Sequence, residues 1–173
     1  MNKQTITMAL LFVVLILVQV LICNHIMLFN VAVPFIFIYF ILRLPVGMSR
    51  ILLLTLAFVM GLLIDVFSDT PGVNSLASTL LAMMKRPVFY AYVPRDDKTK
   101  IIVPSIASVG WQNYSKFALT MSALFCFIAF SIEYFSFAGI QDILILTAGS
   151  AVLTFALIIA VDSLMNANSK VLA

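Results

Sequence analysis

The sequence predicts an all-α integral membrane protein with six transmembrane helices, and three observations predict it. The chain is 64% hydrophobic and only 10% charged over 173 residues, whereas a soluble domain averages about 45–50% apolar and about 25% charged. Apolar runs near the length of a bilayer crossing recur from end to end. The ten Lys and Arg residues also fall where one side of a membrane can hold them all. Lys3, Arg43, Arg50, Lys85, Arg86, Arg95, Lys98, Lys100, Lys116 and Lys170 lie before the first run, in alternate gaps, or after the last. The remaining gaps carry Asp65, Asp69, Glu133 and Asp142. Basic flanks stay cytoplasmic during insertion, so both termini are expected in the cytoplasm, with the chain in the bacterial inner membrane.

The first helix is expected over 5–23, with Gln19 as its only strongly polar residue. The run from Ile6 to Ile22 is too long for a signal-peptide core, and no small-x-small cleavage site follows, so it reads as a retained helix. An outer turn with Asn24, His25 and Asn30 leads to a short second helix, 30–44. Pro34 would sit in its first turn, where a missing N–H does no harm, and Tyr39 and Phe40 would anchor the inner interface beside Arg43.

A cytoplasmic turn, Arg43 to Arg50, contains Pro45, Gly47 and the candidate N-cap Ser49. The third helix spans 50–68. Pro71-Gly72 then marks a turn, with Asn74 as N-cap of the fourth helix. That helix spans 75–93 if Lys85 and Arg86 snorkel to the interface; otherwise it ends near 86 and an aromatic interfacial segment follows. The stretch 94–115 is the one substantial cytoplasmic loop. Its apolar part, Ile101 to Trp111, suits a short amphipathic surface helix, and Trp111 and Tyr114 resemble an interfacial belt. Helices five and six are expected over 116–133 and 142–162, before a polar tail. About 120 residues would lie in the bilayer, so 1–173 forms a single transmembrane domain.

This layout disfavours several functions. A nucleic-acid reading needs a solvated basic surface, and no gap has room for one. Cys23 and Cys126 read as small apolar residues, not as a disulfide or metal pair. His25, the sole histidine, lies near Cys23, but residues two apart on a helix point to different faces. No catalytic residue, metal site or cofactor is assigned. Asp65 and Asp162 are the two acids near span ends, and both read as headgroup-level residues. Asp65 still carries a tension, because an anion in the last turn of a helix faces the negative end of the dipole. It needs a donor, and the 70–74 turn or a partner protein could supply one. Gly61 shares its face and permits close helix approach.

The stretch Gly61-Leu62-Leu63-Ile64-Asp65-Val66-Phe67-Ser68, followed by Pro71-Gly72-Val73-Asn74-Ser75-Leu76-Ala77, resembles the signature of the rod shape-determining MreD family. That signature has G-L-(L)-x-D, two hydrophobic residues and Ser at a helix end, then a Gly turn and a small-residue helix start. Chain length, six helices and a short second helix fit as well; the 85–115 stretch is not matched to the family pattern. The resemblance implies a fold similar to the S components of energy-coupling-factor transporters. It also implies a non-enzymatic scaffold or regulator in the peptidoglycan-elongation machinery. Its partners would be an MreC-like protein, RodA and its transpeptidase, within membrane lipid. Gly61, Asp65, Ser68, Gly72 and Asn74 would be the motif positions and candidate partner contacts. The rival reading is a vitamin-binding subunit of a transporter.

Overall fold

A computed structural model describes residues 3–23, 33–94, 102–133 and 140–171. All regular structure among these residues is helical: α1 (Lys3–Leu21), α2 (Ile38–Arg43), α3 (Arg50–Ser68), α4 (Val73–Tyr92), α5 (Ile106–Val109), α6 (Trp111–Glu133) and α7 (Ile140–Val171). Among the described residues three helical stretches are long and apolar enough to cross a membrane: Arg50–Ser68, Trp111–Glu133 and Ile143–Met165. Their outward faces carry large exposed apolar side chains, among them Ile51, Leu62, Val66, Phe127 and Val152, which is the pattern lipid contact requires.

Helices α3 and α4 form one tight pair and α6 and α7 another, and α4 packs on α6 to join them. Phe89 of α4 meets Phe117 of α6 edge-on, with centroids 5.4 Å apart. The Tyr92 hydroxyl lies 2.8 Å from Thr120 Oγ1 across the same seam. The α4 reading that continues past the cations is the one observed, since the helix runs unbroken through Lys85-Arg86-Pro87.

The second element differs most from expectation. Helix was predicted over 30–44, but only Ile38–Arg43 is α-helical, and 33–35 has no regular structure; residues 30–32 lie outside the described residues. Pro34 therefore does not occupy a first turn. The residues from Phe37 to Leu42 are almost wholly buried, so α2 is apolar all round because it is a core element. Tyr39 and Phe40 are part of this core and not interfacial anchors. Phe35 and Phe37 both stack edge-on against Phe125 of α6, at 5.1 and 5.4 Å, and Phe12 of α1 meets Phe40 at 5.1 Å.

Other boundaries move for local reasons. The apolar stretch before Trp111 shortens to the four-residue α5, started by a capping box between Ser105 and Ser108. Helix α6 starts at Trp111, ahead of the predicted 116. Trp111 is exposed as a belt residue would be, but Tyr114 is buried. Helix α7 continues to Val171, into the stretch expected to be a polar tail.

Candidate functional site

Asp65 lies in the last turn of α3 and is 7% exposed. Its Oδ1 accepts from Thr70 Oγ1 at 2.7 Å, from the Asn74 backbone N–H at 2.9 Å and from Asn74 Nδ2 at 3.0 Å. Its Oδ2 accepts the Ser75 backbone N–H at 2.8 Å. The first-turn N–H groups of a helix have no intrahelical partner. Asp65 supplies that partner for α4 from the end of the preceding helix. The adverse dipole of α3 is thus offset by the favourable positive end of α4, and of the two expected sources of donors it is the 70–74 turn that supplies three, with the Ser75 N–H as the fourth.

The turn is shaped to bring these groups together. Asp69 ends α3 in the left-handed region, at φ 57°, and its N–H reaches the Asp65 carbonyl. Gly72, at φ 81°, is the N-cap of α4, and this left-handed conformation favours glycine. The predicted capping role of Asn74 is corrected: Asn74 lies inside the first turn and gives both its N–H and its amide to Asp65. Gly61 lets the two helices touch, since a Cβ there would stand 2.5 Å from the Asn74 carbonyl oxygen and from Ser75 Cα. Ser68 is the last residue of α3. Four motif positions, Gly61, Asp65, Gly72 and Asn74, therefore build one interhelical joint.

A second polar assembly was not foreseen. Ser150, Thr154, Ile158 and Asp162 repeat every four residues along α7 and are all fully buried. This stripe runs beside residues 33–43. Ser150 Oγ accepts the Val33 N–H at 3.0 Å, and Thr154 Oγ1 accepts the Phe35 N–H at 3.1 Å. From α1, the Gln19 side chain, also fully buried, donates to the Pro34 carbonyl at 3.0 Å and accepts the Ile36 N–H at 2.9 Å. Irregular backbone deep in a membrane protein is tolerated where other protein groups satisfy it, and these three side chains do so.

The stripe ends at Asp162, which is wholly buried against protein groups instead of solvated. Its Oδ1 accepts from Arg43 Nη1 at 2.6 Å and from the Tyr39 hydroxyl at 2.9 Å. Its Oδ2 accepts the Ile106 N–H at 2.9 Å. The snorkelling that a continued helix four requires is corrected for Lys85, while Arg86 stays partly exposed and reaches the 44–48 turn. Lys85 is fully buried and donates to the Leu44 carbonyl. Arg86 donates from Nε to the Val46 carbonyl at 3.0 Å and from Nη2 to the Met48 carbonyl. The Val46 N–H in turn bonds the Ile102 carbonyl at 3.2 Å. Three basic side chains and one acid thus tie the 44–48 turn, α4, α7 and the 102–106 segment together, while the Asp65 joint closes the opposite end of the α3–α4 pair.

Both carboxylates accept hydrogen bonds from donors fixed in this chain, so the geometry of both sites holds backbone segments in place. Among the described residues no three His, Cys, Asp or Glu side chains converge. Cys23 and Cys126 are buried and unbridged, and His25 lies outside the described residues. The signals that could have revealed the second assembly were the four-residue spacing of Ser150, Thr154 and Asp162, and Gln19 alone in an apolar helix. No family model matches the chain, and neither a curated protein nor a solved structure shows significant similarity to it.

Proposed function

We propose that this chain is a non-enzymatic inner-membrane subunit of the bacterial cell-shape and peptidoglycan-elongation complex, of the MreD type. It would scaffold or regulate through an MreC-like partner, with RodA and its transpeptidase as further neighbours. The observation that carries this reading is the joint. Four of the five positions that resemble the family signature, all but Ser68, form a single packed and hydrogen-bonded unit around Asp65, which gives a motif of that spacing a physical reason to exist. The joint fixes the outer turn between α3 and α4 as a rigid feature for a partner to recognise.

The proposed topology has six passages and cytoplasmic termini, with residues 33–43 serving as an interrupted second passage. The clustering of Arg43, Lys85 and Arg86 around the 44–48 turn, at the end of the α3–α4 pair away from Asp65, supports it. Cations gathered at one end agree with the rule that basic flanks stay inside. A reporter of sidedness at Lys98 should read cytoplasmic, and a periplasmic signal there would defeat the topology.

The alternative is a substrate-binding subunit of a vitamin transporter. The irregular backbone at 33–37, held by polar side chains, favours it, because transporters build sites from non-helical backbone beside helix ends. Affinity capture from detergent-solubilised membranes separates the two. Recovery of a single-span periplasmic coiled-coil protein supports the elongation role. Recovery of an ATPase pair with a coupling subunit supports transport and would displace the elongation reading.

A further inference from the structure

We infer that the groove between the start of α3 and the second half of α4 binds the headgroup and upper acyl chain of an anionic phospholipid. The groove has a volume of about 900 Å³. Arg50 and Arg86 line it together with Leu54, Met83, Pro87 and Tyr90, and its lining contains no acidic side chain. It is a two-cation cleft with an apolar floor and an aromatic edge, and this combination suits a charged headgroup on a hydrocarbon tail. Basic pockets between membrane helices bind lipid headgroups for this reason.

The two guanidinium groups have different duties. Arg86 is half-buried and locked in place, with Nε and Nη2 held by the Val46 and Met48 carbonyls. Its Nη1 amino group is left to donate to another acceptor. Arg50 is exposed and makes no hydrogen bond or ion pair among the described residues, so its full donor set is available to a phosphate. Pro87 has no N–H to give the Met83 carbonyl, which therefore lacks its usual intrahelical donor. A hydroxylated headgroup, such as that of phosphatidylglycerol, can supply one. Met83 itself is 61% exposed, and it would lie against the acyl chain.

This inference needs a membrane-embedded chain but not the elongation role. Its test places a tryptophan reporter in the groove. The chain has one tryptophan, so Trp111→Phe gives a silent background for Met83→Trp. The protein is reconstituted in phosphatidylcholine vesicles containing a minor fraction of phosphatidylglycerol, with bromine quencher on one lipid or the other. Quenching should show phosphatidylglycerol enriched at the reporter about fivefold over its bulk fraction, the effect of one basic residue near the surface. Adding Arg50→Gln should return the ratio close to that of the bulk. A Val66→Trp reporter, on the exposed face near the opposite end of α3, should follow the bulk composition in both backgrounds. Equal quenching by the two lipids at Met83→Trp, or enrichment that survives Arg50→Gln, would overturn the lipid site. Absence of quenching by either lipid at both reporters would instead sink the membrane reading itself.

Discussion

Arg43 and Asp162 are separated by 119 residues in the chain, yet Nη1 and Oδ1 meet at 2.6 Å with the carboxylate wholly buried. The pair joins α2 to α7, and the same carboxylate takes the Ile106 N–H. One acid therefore fixes three segments that the chain order keeps apart. Removing one partner of a buried pair leaves an uncompensated charge and costs about 3–5 kcal/mol, whereas replacing both with apolar residues is often close to neutral. Arg43→Met and Asp162→Leu should each destabilise by about that amount. The double variant should cost clearly less than the sum. Equilibrium unfolding in mixed detergent micelles measures all four corners of the cycle, and strict additivity would mean that the pair carries no coupling.

Asp65 makes a comparable prediction at the other end. Asp65→Asn preserves shape but turns an amide N–H₂ toward the Ser75 or Asn74 N–H, so one donor loses its acceptor and the others lose a charged one. Hydrogen bonds to charged groups contribute about 1.5–3 kcal/mol each, and a loss of about 2–3 kcal/mol is expected. Asn74→Ala should cost only about 1 kcal/mol, because its backbone N–H still reaches Asp65. If the order of these two effects were reversed in thermal unfolding, the side chain of Asn74 and not the cap would be the important element. If Asp65→Asn left both abundance and partner recovery at wild-type levels, Asp65 would not be a compensated anion at all.

Gly61 tests the packing of the same joint without touching its charge. An added methyl would stand 2.5 Å from backbone atoms of α4, and backbone cannot step aside as a flexible side chain can. Gly61→Ala should destabilise by about 1–3 kcal/mol, the range for forcing extra volume into a packed interface. Gly61→Leu should prevent the pair from closing and abolish a folded product. Accumulation of well-folded Gly61→Leu in fluorescence-detected size exclusion would show that α3 and α4 do not cross here.

The contrast between the two ends of the bundle explains what could be read from the chain. The Asp65 joint was legible because all its members lie within fifteen consecutive positions, 61–75, and local rules of dipoles, turns and glycine apply at that range. The long apolar helices were legible because hydropathy averages over a whole span. Residues 33–37 were not legible, although the helix at Ile38–Arg43 lies within the predicted one. Their composition suits a helix, but Ser150, Thr154 and Gln19 offer the backbone donors and acceptors from elsewhere in the chain. Lys85 and Asp162 read as solvated groups for the same reason, whereas both are buried. A lone ionisable residue near a span end reads as an interfacial group until its distant partner is known.

Gln19 gives the sharpest test of that unforeseen segment. Its amide nitrogen donates to the Pro34 carbonyl while its amide oxygen accepts the Ile36 N–H, so a single side chain satisfies both sides of the irregular backbone. Gln19→Leu is close in volume and would look benign in an apolar helix. It leaves one buried carbonyl and one buried N–H without partners, and each unsatisfied group costs about 1–3 kcal/mol. A loss of about 2–5 kcal/mol is therefore expected, far above the effect of Val14→Leu on the exposed face of the same helix. Gln19→Glu should fall between them when protonated, since its acid O–H can donate to the Pro34 carbonyl while its carbonyl oxygen accepts the Ile36 N–H; when ionised it is an uncompensated buried charge facing that carbonyl and should cost about 3–5 kcal/mol. Amide hydrogen exchange at Ile36 provides a local readout. Its protection should drop in Gln19→Leu by more than that of Phe40, whose N–H bonds the Phe37 carbonyl. Equal loss at both positions would indicate general loosening of the bundle instead of a severed link to Gln19.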